Sequence, residues 1–378
     1  DGNTRTRVLK SMKLPKLLAS EMASLIFTEK VSIAIENNET YTKYVNEVLK
    51  KNSFHSKKLE LIEYMFALGG SVDKIYSKNK DIVIDYVVAD SFIPTNWSNE
   101  QITGGMFLTT TQKNKYTYTL VENHTFENGV ITITSKLYKS MNDSAENEGV
   151  EVPLSELYPD LLEVVVIDNV TRPIFSYSKP SIANNVDLDT PIGISIFENS
   201  IDTIEILDTC FDSWDREFKL GKKRIMVPAY AIKKHTLEDG TSINYFDSDS
   251  DVFQAIDVDE NDNFNFKDDT QELRVEEHVA SINALLTVLC EQNGLSQGAI
   301  SFDAKNGLKT ATEVVSENSK TFRTKQRHEV NLEKNLKEIV TAIIEVGQLY
   351  DKLKKVKDYN IIITFDDSII IDKESVEA

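Results

Sequence analysis

The chain has 378 residues, and 42 Lys and Arg against 61 Asp and Glu leave a net charge of −19. Hydrophobic residues make up 40% and charged residues 27%, a composition that excludes wholesale disorder. The length predicts more than one folded unit. No apolar run reaches the roughly 20 residues a membrane helix needs, and the acidic balance excludes a broad basic face that coats nucleic acid.

Two cysteines, Cys210 and Cys290, are too few for a disulfide framework and read as reduced core thiols. The chain opens at Asp1 with neither Met nor an apolar targeting segment, which reads as a trimmed or processed product.

Residues 5–70 read as helical. Leu14, Leu18, Met22, Leu25 and Ile26 share one face, Tyr41, Tyr44, Val45 and Val48 a second, and Leu59, Ile62, Met65 and Phe66 a third. Gly69-Gly70 ends that region. Residues 71–190 change to strand texture, an antiparallel meander in an α+β region. Asn128-Gly129 is a hairpin signal, because both residues accept positive φ. Val164 to Ile167 reads as a buried strand.

A helix is expected over 195–220, with Phe197, Ile201, Ile204, Leu207, Phe211, Trp214 and Phe218 in its stripe and Gly221 as its stop. Almost every charge in residues 235–272 is acidic, Lys267 being the one base, and aromatic residues punctuate the stretch. That pattern predicts a small folded module with a solvated acidic surface. Helix resumes over 275–292. A break at Asn293 to Gly298 leads to a strand candidate, Ala299 to Phe302. A long helix is expected from about Leu308 to Leu353, with Leu332, Leu336, Ile339, Ile343, Val346, Tyr350 and Leu353 at spacings of four and three. Its first half is polar, so it must pack sparsely or meet a partner.

Little in the chain points to catalysis. No zinc-type histidine spacing, nucleophile elbow or phosphate-binding glycine loop occurs. Glu277-His278 reads as a surface position, and no cofactor is expected. Asp257, Asp259 and Asn261 alternate like the start of a calcium loop, but Asp262 stands where that loop needs glycine. Asp247, Asp249 and Asp251 also alternate, a pattern that keeps strand edges from aggregating. Basic residues cluster around the start of the long helix. Lys320, Arg323 and Arg327 fall on one face, suited to phosphate or to an acidic neighbouring subunit. Lys305 and Lys309 flank Asn306-Gly307 on the loop before it.

Five segments carry a family likeness. They are Gly193-Ile-Ser-Ile-Phe-Glu-Asn-Ser-Ile-Asp-Thr-Ile-Glu-Ile-Leu-Asp208, Phe218-Lys-Leu-Gly-Lys-Lys-Arg-Ile-Met-Val227, Leu273-Arg-Val-Glu-Glu-His278 followed by Gly294-Leu-Ser296, Lys309-Thr-Ala-Thr-Glu-Val-Val-Ser316 with Phe322-Arg-Thr324, and Ile361-Ile-Ile-Thr-Phe-Asp-Asp-Ser368. Together they resemble the portal proteins of tailed phages of Gram-positive hosts, best over about residues 190 to 370.

The resemblance implies a ring of about a dozen copies at a capsid vertex, assembled in the host cytoplasm. Double-stranded DNA would pass through it, driven by a large terminase ATPase. A head–tail adaptor would dock below, with major capsid and scaffolding proteins around it. Residues 1–194 would form the wing, 195–221 and 273–292 two stem helices, and 222–272 a small α/β clip. Residues 293–309 would be the tunnel loop, and 310–378 the long helix and strand returning to the wing. Lys305, Asn306 and Lys309 are then expected at the channel. Asp247, Asp249, Asp251, Phe253, Asp257 and Asp259 are expected to dock partners. The helical crown of the family is expected to be missing after Ala378, and an N-terminal stretch before Asp1.

An acidic lining suits such a conduit, since duplex DNA carries one phosphate charge per roughly 1.7 Å and a basic wall would hold it. Two other readings compete. One is a calcium-binding or metal-dependent protein using the carboxylates of 247–269. The other is a different ring component of the virion.

Overall fold

The computed structural model describes residues 7–27, 31–99, 101–141, 149–221, 225–228, 234–236, 240, 242–244, 253–256, 267–268, 272–302, 319–356 and 358–365. It divides into two compact units. One comprises residues 1–14, 200–291 and 297–308, and the other 15–199, 292–296 and 309–378.

The second unit begins with three helices, α1 (Leu14–Phe27), α2 (Glu39–Lys51) and α3 (Phe54–Leu68). The Asn38 side chain accepts from the Tyr41 N–H to cap α2, and Gly69 at φ +83° closes α3. The region is not helical throughout, however. Strand β1 (Ser32–Ile35) interrupts it and pairs antiparallel with the last strand, β16 (Ile361–Thr364). Ile33 and Ile35 alternate inward, a period of two too short to stand out between helical stripes.

Strands β2 (Ser71–Lys78) and β3 (Asp81–Val88) form a sheet with β10 (Phe175–Ser178), in the order β10-β2-β3. The long helix α6 (Ser319–Leu349) packs across β10 and β2. Between β3 and β10 lies the expected meander, β4 (Phe92–Ser98), β5 (Gln101–Lys113), β6 (Tyr116–Glu127), β7 (Val130–Met141) and β8 (Val150–Val152), while β9 (Val164–Asp168) also pairs with β7. Asn128 and Gly129 turn the β6–β7 hairpin at φ +52° and +81°. One sheet face is core: Phe92, Phe107, Leu120, His124, Ile131 and Leu137 are buried on it. β9 is not the buried strand its valine run predicts. It forms an edge ladder, and Val164 and Val166 remain 54% and 57% exposed.

In α6, Leu332, Leu336, Ile339, Ile343 and Val346 are buried as their spacing predicts. The helix stops at Leu349, so Tyr350 and Leu353 lie beyond it. Asp351 turns at φ +55°, and the Lys352 N–H returns to the Gly347 carbonyl at 2.9 Å. Tyr350 is exposed, whereas Leu353 is buried.

In the first unit a short 3₁₀ turn at Glu198–Ser200 leads into α4 (Ile201–Leu220), and α5 (Val275–Gln292) follows later. Ile204 and Leu207 are buried, but Ile201 and Phe218 at the two ends of the helix are exposed, and Phe197 of the predicted stripe lies before it. Cys290 is buried, while Cys210 is only half-buried and so is no core thiol. Between the two helices lie β11 (Ile225–Pro228), β12 (Lys234–Thr236), β13 (Ser242–Asn244), β14 (Phe253–Ile256) and β15 (Lys267–Asp268). β11 pairs parallel with β14 and antiparallel with β15, and β12 pairs with β13. Ala299 to Phe302 forms no strand. Instead of joining a ladder, the Phe302 N–H donates to the Asn283 side-chain oxygen at 2.9 Å.

Candidate functional site

Two of the motif segments that are far apart in sequence meet in space. Gly294 turns at φ +73°, and the Thr324 hydroxyl on α6 donates to its carbonyl oxygen at 2.7 Å. The Ser296 N–H donates to Thr321 Oγ1 at 2.8 Å, and the Thr321 N–H returns to Ser296 Oγ at 3.2 Å. The two hydroxyls lie 3.1 Å apart. This reciprocal lock fixes the start of segment 293–309 against the first turns of α6. Its parts are small hydroxyl residues and a positive-φ glycine, which no hydrophobic periodicity reveals.

Further along the same segment, in the other unit, Phe302 meets Trp214 of α4 edge-to-face at a ring separation of 5.0 Å. Lys305, Asn306 and Lys309 lie outside the described residues.

The basic face of α6 is present in part. Arg323 and Arg327 are exposed and Lys320 is half-buried. Arg323 Nε donates to the Ser319 carbonyl at 3.4 Å, so this guanidinium folds back on its own helix. The polar first half of the long helix is expected to pack sparsely or meet a partner; its residues 308–318 lie outside the described residues, and its described turns are packed. Thr324, Lys325 and His328 are buried within their own unit. Lys325 lies 3.4 Å from Glu329. His328 Nδ1 accepts from the Ser181 N–H at 3.1 Å, and its ring meets Phe66 edge-on at 5.0 Å. Burial, helped by the neighbouring Arg327 charge, lowers its pKa to about 4, so it is neutral at pH 7.

Deeper on α6 a buried ionic network ties four elements together. Lys58 and Asp73 are both fully buried and paired at 2.5 Å. Lys58 Nζ also donates to Asn335 Oδ1 at 2.8 Å, and Asn335 Nδ2 donates to Ser176 Oγ at 2.8 Å. Ser176 passes its own hydrogen to Glu338 at 2.6 Å, and Glu338 is held by Arg172 at 3.0 Å. Each charge has a partner, the condition for burying one at all. None of these residues was singled out by the sequence.

The segment 222–272 is closed at its base. Glu217 near the end of α4 takes a two-point contact from Arg274, just before α5: Arg274 Nε at 3.1 Å and Nη2 at 2.9 Å. That guanidinium holds the Glu217 carboxyl down to about 2. His278 Nε2 lies 3.7 Å from the same carboxylate with its side chain only 18% exposed, so it faces the clamp and is not the surface residue its sequence context predicts. Leu273 Cδ2 lies 2.3 Å from where a side chain on Gly221 would begin, so the glycine lets the two strands of chain meet. Phe253 opens β14. Asp247, Asp249, Asp251, Asp257 and Asp259 lie outside the described residues, as does the calcium-like loop.

Among the described residues no cluster of three or more His, Cys, Asp or Glu could hold a metal ion, and no helix is long and apolar enough to cross a membrane. The family model described as phage portal protein, SPP1 Gp6-like, matches residues 1–376. Comparison with curated proteins returns no match.

Proposed function

This chain belongs to the SPP1 Gp6-like family of phage portal proteins, and from that premise we propose that its copies close into a ring with an axial channel for double-stranded DNA. Its place is the portal vertex of a phage capsid, and its family is a structural one. The ring admits DNA during packaging and releases it later. It also docks the terminase motor and then a head–tail adaptor.

The observation that carries this reading beyond the family is electrostatic. An excess of acids giving −19 per copy becomes a strongly negative body when repeated around an axis. Such a wall repels phosphate, and with a screening length of roughly 8–10 Å it leaves a hydrated gap in which DNA slides without being held.

In this reading, residues 1–194 form the wing, joined by 310–378. Residues 195–221 and 273–292 form the stem, and 222–272 the clip that docks partners through Asp247, Asp249, Asp251, Phe253, Asp257 and Asp259. The Glu217–Arg274 clamp supports the clip assignment, because it makes 222–272 an excursion that leaves and returns at one place. Residues 293–309 form the tunnel loop, with Lys305, Asn306 and Lys309 nearest the DNA. The lock of Gly294 and Ser296 onto α6 supports it by giving the loop a fixed root. Lys320, Arg323 and Arg327 then meet either DNA or the acidic surface of the next copy.

The test is DNA packaging into procapsids carrying Lys305→Glu/Lys309→Glu. The reading expects packaged DNA to fall while the vertex still assembles. Unchanged packaging would remove the loop from the DNA path.

A further inference from the structure

Three side chains of the buried network are chemically matched for one reaction. Lys58 on α3 carries a primary amine, Asn335 on α6 a carboxamide and Asp73 on β2 a carboxyl, and all three are 2% exposed or less. Lys58 Nζ donates to Asn335 Oδ1 at 2.8 Å, which puts the amine within about 4 Å of the amide carbon, given a C=O bond of about 1.23 Å. One oxygen of Asp73, Oδ2, touches both nitrogens: it accepts from Lys58 Nζ at 2.5 Å and from Asn335 Nδ2 at 3.2 Å. Ser176 Oγ accepts from the same Nδ2 at 2.8 Å, so the carboxamide is held from two sides. The other Asp73 oxygen, Oδ1, is buried with no hydrogen-bond donor among the described residues. A carboxylate that keeps its charge is best held by donors on both oxygens; one that takes and returns a proton is not so bound. Leu61, Ile75 and Ile339, which share the faces of the three residues by spacing, are also no more than 2% exposed, so water is kept out.

We propose that Lys58 and Asn335 join in an isopeptide bond, a covalent tie between α3 and α6 across 277 residues of sequence. Lys58 Nζ passes a proton to Asp73 Oδ2 and becomes a neutral, desolvated amine, which is a nucleophile. Its lone pair attacks Asn335 Cγ, the Nζ–Cγ bond forms, and the carbonyl electron pair moves to Oδ1. Asp73 then gives its proton to Nδ2 and takes another from Nζ. The pair on Oδ1 returns, the Cγ–Nδ2 bond breaks, and ammonia leaves. Nothing is oxidised or reduced, and no co-reactant is needed. Fixed proximity supplies the rate, and the dry site leaves the product no hydrolytic way back. The tie lies within one compact unit. It restricts the unfolded chain as a disulfide does, without an oxidising compartment. Its formation does not depend on the ring.

The test is intact-mass spectrometry of the purified full chain under denaturing conditions, followed by a tryptic map. The proposal expects a mass one ammonia below that of the sequence, and the peptide of Lys58 linked to that of Asn335. A succinimide at an Asn-Gly pair loses the same ammonia but leaves these two peptides separate, so the map decides between them. Asn335→Ala keeps the Lys58–Asp73 pair and should show the mass of its own sequence and a lower melting temperature. Asp73→Asn should also show the mass of its own sequence, with helix and strand content retained by circular dichroism. Separate Lys58 and Asn335 peptides in the unsubstituted chain overturn the proposal, whatever the variants do. A linked pair that persists in Asp73→Asn overturns the proton route through that residue.

Discussion

Thr324 gives its hydroxyl hydrogen to the carbonyl oxygen of Gly294 at 2.7 Å, and the same hydroxyl lies 2.7 Å from where a β-carbon on Gly294 would stand. The glycine is required twice, by its positive φ and by the approach of the threonine. Gly294→Ala should therefore cost about 1–2 kcal/mol from backbone strain alone, with further loss from the crowding. Thr324→Ala should cost about 1 kcal/mol or more for the hydrogen bond and the lost methyl. Urea denaturation of both single variants and the double should show coupling, because cutting Thr324 back to its β-carbon relieves the clash. Strict additivity would mean the two residues do not sense each other.

Lys58 and Asp73 bury opposite charges with no exposure to water. Removing one leaves the other uncompensated. Lys58→Met alone should destabilise the protein by about 3–5 kcal/mol, whereas Lys58→Met/Asp73→Val should recover much of that loss. Equilibrium unfolding of the pair decides it. A double variant no more stable than the single one would contradict it, because Asp73 would then carry no penalty for losing Lys58.

Two buried histidines make stability depend on pH. Burial, with the nearby Lys74 charge, lowers the pKa of His124 to about 3, and burial beside Arg327 lowers that of His328 to about 4. In the unfolded chain a histidine titrates near 6.5. As pH falls the unfolded state therefore takes up protons first, and the stability present above about 6.5 is lost on the way down to those lower values. Neither nitrogen of His124 has a hydrogen-bond partner among the described residues, so His124→Leu removes the titration without breaking a bond. Denaturation at pH 7 and pH 4.5 should show a smaller loss for His124→Leu than for the unsubstituted chain. Equal losses would contradict this assignment.

Arg274 and Glu217 close the base of segment 222–272 with two parallel contacts. Arg274→Lys keeps the charge but loses the fork. Hydrogen exchange should then quicken at residues 217–221 and 272–278 while the sheet of β4 to β9 stays protected. Exchange in Arg274→Lys that matches the unsubstituted chain at those residues would mean the clamp holds nothing.

Local signals carried much of this fold. The Asn128-Gly129 hairpin, the Gly69 stop and the buried stripe from Leu332 to Val346 are each written within a few residues of where they act. The pairing of β1 with β16 is not, because its two halves lie at opposite ends of the chain and each is short. Whether the Val164 to Ile167 run lies in a core or on an edge depends on which strand lies beyond it, which a run of valines does not encode. The Lys58–Asp73–Asn335 network was equally hidden, since an isolated lysine or aspartate reads as surface until its partner folds against it. The family, by contrast, was legible from its motifs, and the Gly294-Leu-Ser296 and Phe322-Arg-Thr324 pieces prove to be in mutual contact.

Electron microscopy of the purified full chain tests the central claim most directly. Copies enclosing an acidic passage should appear as closed rings, with an axial opening wide enough for a DNA duplex and a negative inner wall. A protein that stays a single subunit at every concentration, or assembles with no opening on its axis, would contradict it.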